Sequence, residues 1–160
     1  MSYRYLTIEN AIATHGLTVE KSGGGTRGML DVDKLESVLE HIQNDVYYPT
    51  FEDKLTHLFH SACKFHCFQD GNKRIAINLC AQMLLMNGYL RAGHFIHEAE
   101  NISYHVAAGN ISKDLLGRWM IAILNEDEDD ESLKLEILNA ISNGIPAGED
   151  GFAENRPPLP

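Results

Sequence analysis

Apolar side chains in this chain recur at steps of three and four, the spacing of one face of a helix, in segment after segment from residue 33 to residue 123. Leu35, Val38, Leu39, Ile42 and Val46 form the first long series, with Asp33 and Glu36 at capping-box spacing, which predicts a helix over about 33–46. Tyr47, Tyr48 and Pro49 interrupt the pattern, because the residue before a proline is steered to extended conformations. Phe51, Leu55, Leu58, Phe59, Ala62 and Phe65 resume it and predict a helix ending near Phe65. Ile75, Ala76, Leu79, Cys80, Met83, Leu84 and Met86 mark a helix buried over much of its circumference and closed by Asn87-Gly88. Ala99, Ile102 and Val106 predict a fifth helix. Leu115, Leu116, Trp119, Met120 and Ile123 predict a sixth, capped by Ser112. A short first helix is expected from Thr7 to His15, with Thr7 as cap and Gly16 as stop. The expected class is all-α.

The acidity is lopsided. Residues 126–160 carry 10 acidic and 2 basic side chains, whereas residues 1–125 carry 13 and 11. The organisation expected is a domain over 1–125 followed by an appendage over 126–160. That appendage comprises an acidic linker, an amphipathic helix at about 131–143 built on Leu133, Ile137, Leu138 and Ile141, and a disordered Pro-rich tail. A body without a basic field has nothing to draw nucleic-acid phosphates, so no nucleic-acid partner is expected. No apolar run reaches the roughly 18–20 residues of a membrane span and the start lacks a signal-peptide core, so the expected place is the cytoplasm, with no membrane partner. Cys63, Cys67 and Cys80 are an odd number on helical segments, which is no disulfide framework.

Chemistry concentrates in His66-Cys67-Phe68-Gln69-Asp70-Gly71-Asn72-Lys73-Arg74, between two strongly patterned helices. Gly71 permits a close backbone turn, and the N–H groups from Gly71 to Arg74 would point from the next helix's N-terminus toward an anion. Lys73 and Arg74 add positive charge, Asp70 offers the hard oxygen that Mg²⁺ prefers, and His66 can exchange a proton near neutral pH. These are the parts of phosphoryl or nucleotidyl transfer, where a protein mainly positions the nucleophile and stabilises charge on phosphorus oxygens. Taken without context, a His and an Asp between helices serve equally as a cap and a surface turn.

The string His66-x-Phe68-x-Asp70-Gly71-Asn72 resembles the signature of the Fic/Doc family, and the likeness extends over about residues 8–125. His15, the Gly23-Gly24 to Gly28-Met29 loop, Asp31 and Asn87-Gly88 are similar to their counterparts in the small Doc (death-on-curing) toxins. The resemblance implies a bundle of about six to seven helices with a short flap near 44–50, and an enzyme using ATP and Mg²⁺. By position, His66 would be the general base and Asp70 the metal ligand. Gly71, Asn72, Lys73 and Arg74 would hold phosphates, with Asn78 one turn on lining the site. Tyr47, Tyr48 and Pro49 fall in the flap, which in the family aligns a target peptide by main-chain pairing; both tyrosines serve packing equally well.

AMP-transferring members read GNGRxxR, whereas this chain has Lys73 and, at the last position, Ile77. A lysine fills space where phosphate oxygens would lie, and losing the second arginine removes a phosphate clamp. The departure resembles Doc and implies a toxin that moves the γ-phosphate to a protein hydroxyl, with a threonine of elongation factor Tu as the family's target. AMP transfer is the alternative, and a non-catalytic Fic-fold binding protein a third reading. Family members are commonly restrained by a helix in the same chain or by an antitoxin. Ser132-Leu133-Lys134-Leu135-Glu136-Ile137 matches five of the six positions of the intrachain version, yet Ile77 offers Glu136 no arginine. The 132–143 helix is then expected to pack on its own body, in a homodimer, or against an antitoxin. His57, His60, Cys63, His66 and Cys67 also suggest a metal site, but three-residue steps drift about 60° each, leaving His57 and His66 on nearly opposite faces.

Overall fold

A computed structural model describes residues 3–21, 32–64, 72–126 and 130–144, with side chains at all of these except 15–21, 72, 73 and 144. The described residues form seven helices and no strand: α1 (Ile8–Lys21), α2 (Val32–His41), α3 (Phe51–Lys64), α4 (Asn72–Met86), α5 (Ala92–Ala108), α6 (Lys113–Leu124) and α7 (Glu131–Gly144). The fold is all-α, as the periodicity requires. The Gly23-Gly24 to Gly28-Met29 loop, the motif residues His66, Phe68, Asp70 and Gly71, and the Pro-rich tail lie outside the described residues.

Four of the helix boundaries follow from identifiable caps. Thr7 Oγ1 accepts from Asn10 N and Asn10 Oδ1 accepts from Thr7 N, both at 3.1 Å, a reciprocal box opening α1. Thr50 and Asp53 repeat the device at the start of α3. Ser112 Oγ accepts from Leu115 N at 3.1 Å at α6, as predicted. At the far end of α4, Gly88 (φ 88°) donates to Leu85 O and Tyr89 to Leu84 O, the two bonds of a Schellman motif, which only a residue at ease with positive φ can close.

Three expectations are corrected. α1 continues through Gly16 to Lys21, since a glycine inside a helix costs only about 1 kcal/mol and stops nothing by itself. Asp33 sits inside the first turn of α2, not at its cap. α2 ends at His41, five residues before Val46. There Asn44 N bonds to His41 O in a tight turn, and Asn44 Oδ1 then takes the amides of Val46 and Tyr47, so the side chain competes successfully with the next helical turn. Val46, placed by periodicity on the buried face, is 85% exposed.

α3 and α4 form the centre. α4 lies against α1, α3 and α5, and α3 also touches α2 and α6. Leu55, Leu58, Leu79, Cys80 and Met83 are fully buried between them, and Phe59, Phe95 and Trp119 join α3, α5 and α6 through ring contacts of 5.8–6.4 Å. The 3–6 segment is strapped across one end: Asn87 bonds Arg4 N and O, and Tyr3, Phe51 and Tyr89 stack in succession. α7 rests on α6, where Arg118 and Glu136 form two bonds of 2.6 and 2.7 Å.

Candidate active site

α3 and α4 are adjacent and joined by the motif segment, so Lys64 and Asn72, the described residues on either side of it, bracket where the chemistry would sit. α4 begins at Asn72, so the first-turn N–H groups, which have no partner within a helix, belong to Asn72, Lys73 and Arg74. Arg74 is exposed on that turn. Asn78, one turn on, is half-buried and shares with Arg74 and Ile77 a cleft of about 310 Å³ whose other wall is Ile96, Glu100 and Ser103 of α5. A helix N-terminus with an exposed guanidinium beside a cleft matches the donor set a polyphosphate takes. Ile77 is only 5% exposed, so the position at which a second arginine would stand is packed into the core.

A cavity of about 540 Å³ between α5, α6 and α7 is a different feature. Its α5 walls, Glu98, Asn101 and Ile102, lie at 100° per residue on the face opposite Ile96, Glu100 and Ser103. It is lined largely by Trp119, Ile123, Leu133 and Ile137, the seam by which α7 attaches. α7 therefore covers the side of α5 away from Arg74. Glu136, the residue at the glutamate position of the inhibitory pattern, is engaged by Arg118 of α6.

Of the flap residues, Tyr47 is 76% exposed and Pro49 is exposed, whereas Tyr48 is half-buried and stacked on His57 with ring centroids 4.7 Å apart. His57 Nδ1 lies 2.8 Å from Lys113 Nζ at the start of α6, and that ammonium is 5.9 Å from the Tyr48 ring centroid. An ammonium can only donate, so His57 accepts on Nδ1 and is neutral in this arrangement. Burial, then the nearby Lys113 charge, pushes the His57 pKa down to about 4. The imidazole is thus committed to this contact, and among the described residues no group of three or more metal-ligating side chains forms.

This arrangement carries a prediction. Because the unfolded chain binds the His57 proton near pH 6.5 and the folded chain near pH 4, its contribution to stability is complete above about 6.5 and lost as pH falls toward 4. An NMR titration should give His57 a midpoint near 4, and Lys113→Met should move it up; a midpoint at the ordinary histidine value would break the assignment.

Sequence reasoning missed Lys54. Its side chain is 0% exposed, with Nζ 2.7 Å from Asp45 Oδ1 and 2.8 Å from Ile42 O. Tyr3 and Tyr5 present ring faces at 6.0 and 5.7 Å. Burial pulls this amine's pKa down, but hydrogen bonds to Asp45 and Tyr5 outweigh it and leave the pKa raised, so the ammonium is charged. The signal was available: position 54 falls on the 51, 55, 58, 62 face, where a lysine has to be paired.

A family model described as the Fic/DOC family matches residues 5–84, from within the strap to the last turn of α4 and including the whole motif. Protein kinase doc of Escherichia phage P1 is 34% identical over 89 residues, covering 53% of this chain and 69% of that protein. No described helix is long and apolar enough to cross a membrane. With the motif in register, the all-α bundle around it and both likenesses in agreement, the chain belongs to the Fic/DOC family and is a transferase of the Fic kind.

Proposed function

We propose that the chain is a Doc-type toxin that phosphorylates a protein hydroxyl from Mg-ATP, with elongation factor Tu as the first target to test. The observation that carries the choice of group is Ile77: its side chain is buried in the core, so α4 offers Arg74 but no second cation one turn on. Without that clamp and with Lys73 beside Asn72, the terminal phosphate is the group presented for transfer. The likeness to a protein named as a kinase supports the same reading.

In this reading His66 takes the proton from the target hydroxyl as its oxygen attacks the γ-phosphorus, the bond to the bridging oxygen breaks, and ADP leaves. The N–H groups at the start of α4, with Lys73 and Arg74, hold the phosphate oxygens, and Asn78 lines the same cleft. Asp70 supplies a carboxylate suited to Mg²⁺, which when bound neutralises charge on those oxygens. Catalysis belongs to residues 1–125, which act in the cytoplasm, and α7 of the 126–160 appendage covers the side of α5 away from Arg74. An antitoxin is the proposed restraint, since Glu136 is engaged by Arg118, and α7 is the element proposed to meet a second copy in a homodimer.

The test is label transfer. ATP radiolabelled at the γ-phosphate should label the target in the presence of Mg²⁺, while ATP labelled at the α-phosphate should not. Label from the α-position would assign AMP transfer instead.

A further inference from the structure

α7 carries more apolar surface than its seat on α6 uses. At 100° per residue, Ala140, Leu133, Ile137, Ile141, Leu138 and Leu135 follow one another around about 220° of the helix, roughly twice the stripe that a helix needs to lie on a core. One half of that arc faces the bundle: Leu133 is buried, and Ile137, Ala140 and Ile141 are half-buried against the core. The other half faces out. Leu135 and Leu138, neighbours at i and i+3, are 59% and 58% exposed.

Beside this ridge lies the hollow of about 540 Å³ between α7 and α5, with Ile102, Trp119, Ile123, Ile137 and Ile141 in its walls. Leu138 borders the hollow as well as belonging to the ridge. A surface that sets an apolar knob next to an apolar hole is complementary to its own two-fold copy. The charges at the hollow repeat the relation. Glu98 stands on the α5 wall, and Lys134 stands on the α7 wall, between Ile141 and Leu138 around the helix and within 3.6 Å of Glu131. A two-fold axis that lays a second α7 antiparallel into the hollow brings Lys134 of each copy to Glu98 of the other. We infer that the chain forms a homodimer in which α7 of each copy lies between α5 and α7 of the other, with Leu135 and Leu138 as the inserted side chains and Lys134 facing Glu98 across the interface. This rests on the homodimer reading given above and fixes its surface and its ionic register. Ile96, Glu100 and Ser103 lie on the opposite face of α5, so the cleft beside Arg74 stays open in the dimer.

Sedimentation equilibrium of the full chain over micromolar concentrations is the test. Wild type is expected to exchange reversibly between monomer and dimer. Leu135→Gln with Leu138→Gln removes the ridge and keeps good helix formers at two exposed positions, so dimerisation should weaken by about tenfold or more while helix content by circular dichroism is unchanged. Lys134→Glu and Glu98→Lys should each weaken self-association several-fold, because each sets like charges together twice across the two-fold. Mixed in equal amounts, these two single variants should dimerise with each other as wild type does, since the mixed pair sets opposite charges at both contacts. A chain that stays monomeric at every concentration would overturn the homodimer reading and the inference with it, leaving the ridge to a different protein. A dimer that persists in the leucine variant, or a mixture of the charge variants that associates no better than either alone, would leave the homodimer reading standing and overturn this surface as its seat.

Discussion

His66→Ala should lower transfer to the target by about 10²–10⁴-fold, the span that a positioned general base contributes. The acceptor hydroxyl is a poor nucleophile until its proton is taken, and at neutral pH histidine is the side chain of this motif whose ordinary pKa suits the task. The metal ligand and phosphate donors are separate residues, so binding of Mg-ATP to His66→Ala should persist while turnover disappears. Circular dichroism and the thermal midpoint should match wild type, because the helices flanking the motif are held by Leu55, Leu58, Leu79 and Met83. Retention of more than about a tenth of wild-type kcat would remove His66 from the role of base.

Lys54→Ala should be among the most destabilising single changes in the body of the protein. It deletes a fully buried side chain, leaves Ile42 O without its donor and opens a void beneath Tyr3 and Tyr5. A buried acceptor left unsatisfied costs about 1–3 kcal/mol and the cavity adds to it, for an expected total of about 3–4 kcal/mol. For a chain of this size that is a fall in Tm on the order of 10 °C. Asp45 contributes little to the loss, since its own side chain is 74% exposed and is solvated when the lysine is gone. A midpoint within about 2 °C of wild type would mean that the strap and the 42–50 segment are held by something else.

The parts of this fold legible in the sequence are those governed by local chemistry. Ser112 capped α6 and Asn87-Gly88 closed α4 because both motifs act within five residues. The apolar spacing of α3 and α4 named their buried faces correctly, since a helix in a bundle has one way to hide Leu55, Leu58, Leu79 and Met83. The errors arose where periodicity met a competing interaction. Val46 continued the spacing of α2, but the Asn44 side chain captured the next amides and turned the chain out to solvent. Gly16 resembled a stop, and the helix ran on through it.

The site divides along the same line. The motif, with its glycine, basic pair and histidine, stood out as a family signature carried within nine consecutive residues, and the family model spans it. The fastening of the 42–50 segment did not. His57 and Lys113 are 56 positions apart and Lys54 meets Tyr3 from 51 away, so their partnership is created only by packing α3 against α6 and the N-terminal strap. His57 looked like a candidate metal ligand in the sequence, and its actual partner is an ammonium. Glu136 likewise sat in a helix with the spacing of an inhibitory element, and its destination, Arg118, depended on which face of α5 the helix covers.

The central claim is that a phosphoryl group, not a nucleotide, is transferred to a protein. Intact mass spectrometry of elongation factor Tu, incubated with this chain and Mg-ATP beside the His66→Ala variant, tests it most directly. A gain of about 80 Da, one phosphoryl group, that is absent with the variant is the result predicted; a gain of about 329 Da, one adenylyl group, would contradict it.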